Sequence, residues 1–145
     1  MMFIKEIEAP ETYSIRKETL RNGVDLPVTF DGDFDENTFH LGVFREEKLI
    51  GIASFMKTNK ELFGKNQYQL RGMATLLEVR GLGFGKELIL KSIEVLKEKG
   101  IVVLWCNARE IALSFYENLG FEIIGDSFDI PEIGTHYLLK KEIDL

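Results

Sequence analysis

The sequence predicts an α/β (α+β) protein: a mixed, mostly antiparallel central sheet of about six to seven strands with helices on both faces. Three observations predict it. Short segments of alternating or continuous apolar character recur along the chain between clusters of turn-forming residues. Two stretches, "GFGKELILKSIEVLKEKG" and "NAREIALSFYENLG", instead carry apolar residues at helical spacing and end on glycine. Between them lies "IVVLWC" (Ile101–Cys106), a nearly all-apolar run of the kind that sits mid-sheet, covered on both sides.

Taken in order, "MFIKEI" (Met2–Ile7) alternates apolar and polar residues and reads as a strand. "PETYSIRKETLR" (Pro10–Arg21) reads as a helix with Pro10 in its first turn, where the missing N–H costs nothing. Residues Asn22–Asn37, rich in Gly, Asp and Pro, form a long loop, a length usually functional or mobile. Thr38–Phe44 and Lys48–Lys57 follow as an antiparallel hairpin across the turn "REEK", and Asn66–Leu76 as a further strand. The helix from about Gly83 to Lys99 puts Leu88, Ile89, Ile93 and Leu96 on one face, with Gly100 to end it. For the helix Asn107–Gly120, Asn107 fits the N-cap, Glu110 stands three residues on as in a capping box, and Gly120 closes it. Phe121–Phe128 and Thr135–Ile143 complete the order β-α-β-β-β-α-β-α-β-β, with no internal repeat.

A chain of 145 residues predicts a single domain, 1–145. The formal charge of −6 argues against nucleic-acid binding, which needs a basic face, but leaves room for one anionic cofactor held by main-chain amides. It is also compatible with a cationic substrate, or with solubility alone. No apolar run reaches the roughly 20 residues needed to span a bilayer. The start "MMFIKEIEAPETY" lacks the features of a secretory signal, so the expected location is cytoplasmic. Cys106, the one cysteine, excludes an internal disulfide and any cysteine-based metal cluster. "DGDFDEN" (Asp31–Asn37) begins like a calcium loop but lacks glycine at its sixth position and glutamate at its twelfth, where Gly42 stands. No metal is expected; that segment reads as a solvated acidic loop, or as a surface facing a cationic substrate.

Chemistry concentrates in "EVRGLGFGKEL" (Glu78–Leu88), where glycines precede a helix start and free N–H groups can take an anion. A Walker loop would need Ser or Thr after Gly85-Lys86, and Glu87 stands there. A dinucleotide fingerprint would need a third glycine where Lys86 stands, and an acid ending the next strand, which closes on Cys106-Asn107. Arg80, Gly83 and Gly85 do meet the pattern Arg/Gln-x-x-Gly-x-Gly/Ala; a ligand-free glycine connector is the plain alternative.

That pattern, with "LRGMATLLEVRGLGFG" around it and "WCNAREIALSFYENLGFE" after it, resembles the GNAT (N-acetyltransferase) superfamily over about Tyr68 to Glu122. The flanking "TFHLGVF…KLIGIASF" and "IPEIGTHYLLKK" look most like its small stand-alone bacterial ElaA-like branch. The resemblance implies a GNAT-like acyl-CoA N-acyltransferase fold. It also implies acetyl-CoA as co-substrate, a small-molecule or peptide amine as acceptor, direct attack in a ternary complex and a possible homodimer.

The resemblance assigns roles residue by residue. The coenzyme A diphosphate falls to the main chain of Arg80, Gly81, Leu82, Gly83, Phe84, Gly85 and Lys86, with Arg80 and Lys86 adding charge or merely facing solvent. The pantetheine arm pairs with Met73, Ala74 and Thr75, a bulge at Gly72 opening the gap, and an N–H near Met73 meets the oxyanion. Tyr116 matches the tyrosine that supplies a proton to the leaving thiolate; packing alone would also explain it. Asn107 is an N-cap, a cofactor contact, or both. Where some members carry a glutamate base, this chain has Gln69, which accepts no proton. His40 and His136, the only histidines, are the candidates on the substrate side, against a purely structural reading of each. Glu78 and Trp105 read as solvent-facing and core, Cys106 as a small buried filler. A non-catalytic acyl-CoA sensor is the competing function, and a nucleotide-binding module a third.

Overall fold

The computed structural model describes residues 1–144. The elements are β1 (Met2–Ile7), α1 (Ala9–Ile15), β2 (Phe39–Arg45), β3 (Lys48–Thr58), β4 (Gln67–Thr75), α2 (Phe84–Glu98), β5 (Val103–Arg109), α3 (Leu113–Glu117), β6 (Glu122–Ile130) and β7 (Gly134–Glu142). The seven strands form one sheet in the order β1-β2-β3-β4-β5-β7-β6, antiparallel throughout except for the parallel pair β4–β5. Among the described residues no helix is long and apolar enough to cross a membrane.

Local chemistry explains most of the boundaries. The Glu8 N–H donates to the Glu11 carboxylate at 2.6 Å to start α1, and the helical path continues through a wider π-type turn, Arg16–Leu20. At the end of α2, Gly100 takes φ +76°, and Ile101 N–H reaches back to the Leu96 carbonyl at 3.0 Å. The predicted helix Asn107–Gly120 is corrected. Asn107 is no N-cap: it lies in β5, opposite Leu138 of β7, and the chain leaves the strand only after Arg109 through a tight turn, Glu110–Ala112. Non-local pairing with β7 outweighs the capping pattern, and α3 is correspondingly short.

The two faces of the sheet are built differently. Phe39, Leu41 and Val43 of β2 are buried on one face, where Phe39 stacks on Phe55 at 4.8 Å and Lys99, just past α2, lies over the Phe39 ring. Alternation sends His40 to the opposite face. There it bonds Ser54 at 2.7 Å, and Ser54 accepts from Arg16 beside α1 at 2.8 Å. The helices α1 and α2 thus cover opposite faces.

Candidate active site

β4 and β5 pair over only three positions, Gln67–Val103, Tyr68–Leu104 and Gln69–Trp105. The closed end of this seam is cross-linked by side chains: the Trp105 indole N–H donates to Thr58 Oγ1 (2.9 Å) and Gln67 Oε1 (3.2 Å). Beyond it the strands part. β4 follows β3 as far as Thr75, and β5 follows β7 as far as Arg109, so their facing edges have no strand between them. The opening is a cleft of about 770 Å³. A bulge sharpens the divergence. Ile52 pairs with Ala74 and Ser54 with Arg71, leaving Gly72 and Met73 unpaired, with Gly72 at φ +61°. A Cβ at Gly72 would lie 2.6 Å from the Phe30 ring, so glycine is required by space as well as by φ.

At the cleft mouth the chain turns into α2 through Gly83, which occupies the N-cap position at φ +91°. The first helical hydrogen bond runs from Glu87 N–H to the Gly83 carbonyl at 3.1 Å, leaving the N–H groups of Phe84, Gly85 and Lys86 without intrahelical acceptors. A Cβ on Gly81 or Gly83 would meet nothing within 4 Å, so open space faces the loop. At Gly85 the opposite holds: a Cβ would come 2.8 Å from Met73 Cε and 3.2 Å from Phe115, so glycine lets α2, α3 and β4 converge. Arg80 and Lys86 are exposed at this mouth. Free N–H groups, the helix dipole and two cations make a site able to hold a diphosphate.

Met73, Ala74, Thr75 and Asn107 line the walls, whereas Leu82 stands exposed at the loop tip, outside the cleft lining. Tyr116 lines the cleft from α3, packed edge-on against Phe115 and Phe121. Burial, with Cys106 adding to it, raises the Tyr116 hydroxyl well above its usual range, so it stays protonated. Burial likewise pushes the Cys106 thiol up to about 12, which makes it an inert filler.

The two histidines separate. His40 does not line the cleft; both ring nitrogens are engaged, Nδ1 with Ser54 Oγ at 2.7 Å and Nε2 with the Asp33 carbonyl at 3.0 Å. His136 does line it. Its Nδ1 lies 2.8 Å from the Gly134 carbonyl, an acceptor, so Nδ1 carries a proton and Nε2 is the ring nitrogen left without a partner among the described residues.

The acidic loop is not merely solvated, as the sequence implied. Asp33 is buried in a bidentate pair with the fully buried Arg16 (2.8 and 3.0 Å), and Phe30 N–H donates to it at 2.9 Å. The loop is therefore tied to the sheet beside the cleft. Among the described residues no group of three or more His, Cys, Asp or Glu is placed to hold a metal. Sequence reasoning missed Arg21, Arg71 and Arg109, which the fold gathers at the far end of the cleft. The signal available was an arginine as the one charged residue of a strand, immediately before Gly72.

Comparison with known proteins identifies this architecture. The chain belongs to the acetyltransferase (GNAT) family, whose family model matches residues 3–121. It is 39% identical over 145 residues to the uncharacterized N-acetyltransferase YitI of Bacillus subtilis (strain 168), covering 99% of this chain and 97% of that one. Its fold matches the crystal structure of Escherichia coli ElaA with a TM-score of 0.83 at 15% identity, covering 98% and 100% of the two chains. It also matches an aminoglycoside 6'-N-acetyltransferase complexed with coenzyme A, with a TM-score of 0.77 at 12% identity over 99% and 98%.

Proposed function

We propose that this protein transfers an acetyl group from acetyl-CoA to an amine by direct attack within a ternary complex. The observation that carries the reading is the parting of β4 from β5 directly beside a helix start with free N–H groups. Acetyl-CoA would supply an activated acyl thioester. The loop from Arg80 to Lys86 binds its diphosphate through the free N–H groups of Phe84, Gly85 and Lys86, with Arg80 and Lys86 adding charge. The Arg80 and Leu82 N–H groups are already donated to the Leu77 and Val79 carbonyls at 3.2 and 3.3 Å. The unpaired edge at Met73, Ala74 and Thr75 hydrogen-bonds the pantetheine arm as a strand partner would, with Asn107 on the facing wall. The bulge frees the Met73 N–H from the β3 ladder, and that donor stabilises the oxygen that gains charge as the amine attacks, an effect of about 3 kcal/mol for one well-aimed donor.

His136 Nε2 takes the proton that the amine must lose, a task Gln69 cannot perform. Tyr116 donates a hydrogen bond to the departing sulfur. Its raised pKa, against about 8.5 for a thiol, makes full transfer of its proton unfavourable, so it stabilises the thiolate without ionising. His136→Gln should lower kcat by roughly 10²-fold, with the Kd for coenzyme A unchanged. Full retention of kcat would remove His136 from the mechanism.

The deciding experiment for the whole reading is release of free thiol from acetyl-CoA with a panel of amines, alongside calorimetric titration of coenzyme A. Thiol release that depends on both reactants is expected. Binding without amine-dependent release would instead leave an acyl-CoA sensor, and no binding would overturn both.

A further inference from the structure

The end of the cleft away from the glycine loop holds three guanidiniums that the chemistry above does not use. Arg21 follows the α1 helical run, Arg71 precedes the bulge in β4, and Arg109 is the last residue of β5. Each is anchored on a main-chain oxygen: Arg21 Nε on Pro27 at 3.0 Å, Arg71 Nη1 on Asp31 at 3.3 Å, Arg109 Nη2 on Leu20 at 3.0 Å. None joins an ion pair within 4.0 Å among the described residues. A guanidinium carries five N–H donors, so each retains several for another partner.

The cluster is held together against its own repulsion. Arg71 lies over the Phe30 ring at 4.6 Å and Arg21 at 5.5 Å, while buried Arg16 takes the same ring at 3.8 Å. Burial, then the fields of Arg109, Arg71 and Arg16, pull Arg21 below its ordinary range. Burial also pulls Arg71 down, with Arg16 adding to the effect and Asp33 and Asp31 opposing it. Asp33 is already paired to Arg16. The chain carries 24 acidic residues, yet neither an aspartate nor a glutamate lines the cleft. A solvated patch of an acidic protein would mix signs; the charged groups lining this end are all cationic, with Asp31 acting on Arg71 from outside the lining, and an incoming oxyanion would relieve the repulsion.

We propose that this end of the cleft recognises acceptor amines that carry an oxyanion, a carboxylate or a phosphate, through Arg21, Arg71 and Arg109. The inference rests on reading the cleft as an acetyl-transfer site. Arg109 stands opposite His136 in the β5–β7 ladder, so an anion held there keeps its attached amine on the side of the proton acceptor. Forked guanidiniums match planar oxyanions bidentately, and the same charges repel polyamines. The acceptor is therefore an amino acid, a peptide with a nearby carboxylate, or an aminoalkyl phosphate.

The test compares amines of equal length: amino carboxylates, their methyl esters, aminoalkyl phosphates, neutral amines and diamines. Each is assayed for thiol release and, by calorimetry, for binding to the protein with and without coenzyme A. At least a tenfold preference in kcat/KM or Kd for one anionic class over its ester is expected, and which class prevails separates carboxylate from phosphate. Arg71→Gln and Arg109→Gln should abolish that preference while the Kd for coenzyme A stays within twofold; Arg71→Lys should keep part of it. Equal binding of esters or diamines would overturn the inference, as would a preference that survives both variants. Loss of coenzyme A affinity matching the loss of acceptor affinity would also overturn it, by assigning the cluster to the cofactor. Anionic amines bound by a protein that fails to bind coenzyme A would uphold the inference and sink the acetyl-transfer reading.

Discussion

The two ends of the cleft are made of different material. At the glycine loop the groups offered are the main-chain N–H donors of consecutive residues Phe84 to Lys86, placed by the conformation of the loop and the first turn of α2. At the opposite end they are side-chain guanidiniums brought from three remote segments; Arg109 bonds the carbonyl of Leu20, 89 residues away in sequence. Backbone donors hold a fixed shape that substitution of most side chains leaves intact. A side-chain cluster is specific in charge, easily retuned, and dependent on the tertiary fold for its existence. A fixed cofactor suits the first kind of site and a variable acceptor the second.

The largest effect should come from breaking the support beneath the cationic end. Asp33→Ala leaves the Arg16 charge buried and unpaired, a loss of about 3–5 kcal/mol in unfolding free energy. Urea denaturation would measure it, and a loss under 1 kcal/mol would show that water reaches the pair. The same pair sets an acid limit. Desolvation works to raise the Asp33 carboxyl, but the Arg16 hydrogen bond, Phe30 N–H and nearby positive charge together hold it below its ordinary range. Its stabilisation is thus complete above the unfolded value of about 3.9 and is lost as pH falls through the lower folded value. Stability curves of wild type and Asp33→Asn should therefore converge only in that acid range.

Next in size is Tyr116→Phe, which removes the donor to the sulfur and should slow kcat by roughly 10²-fold with the Kd for coenzyme A within twofold. Undiminished turnover would leave Tyr116 a packing residue. Gly83→Ala probes the backbone-built end directly. A left-handed alanine costs roughly 1–2 kcal/mol, read either as lost stability or, where the loop relaxes, as coenzyme A binding weakened about 5–30-fold. If both quantities stayed at wild-type values, the loop would not need its glycine. The smallest effect is expected of exposed Lys86→Gln: coenzyme A binding should be about two- to fivefold weaker than wild type at low salt, and the difference should vanish at 1 M, where the Debye length is about 3 Å.

How much could be read in advance follows the same division. The strand and helix order emerged from periodicity, and the loop from three glycines and an arginine, because those features are local. Asn107 was misplaced for the converse reason: its capping pattern is local, but the β7 ladder that overrides it involves Leu138 and His136 far along the chain. The Asp33–Arg16 pair and the arginine trio were equally hidden, since neither leaves a spacing to recognise. His40 and His136 look alike as strand histidines. Only the register shows that one faces Ser54 in a sealed network and the other faces the cleft.

The riveted end of the seam has a mechanical consequence. From the three-pair junction fixed by Trp105, Gln67 and Thr58, β4 extends six further residues to Thr75 as a lever about 20 Å long. A swing of about 3° at that pivot moves the far tip by roughly 1 Å, a displacement that can change a reaction rate about a hundredfold. Residues that never approach the thioester would thereby govern how well the two arms of the sheet aim it.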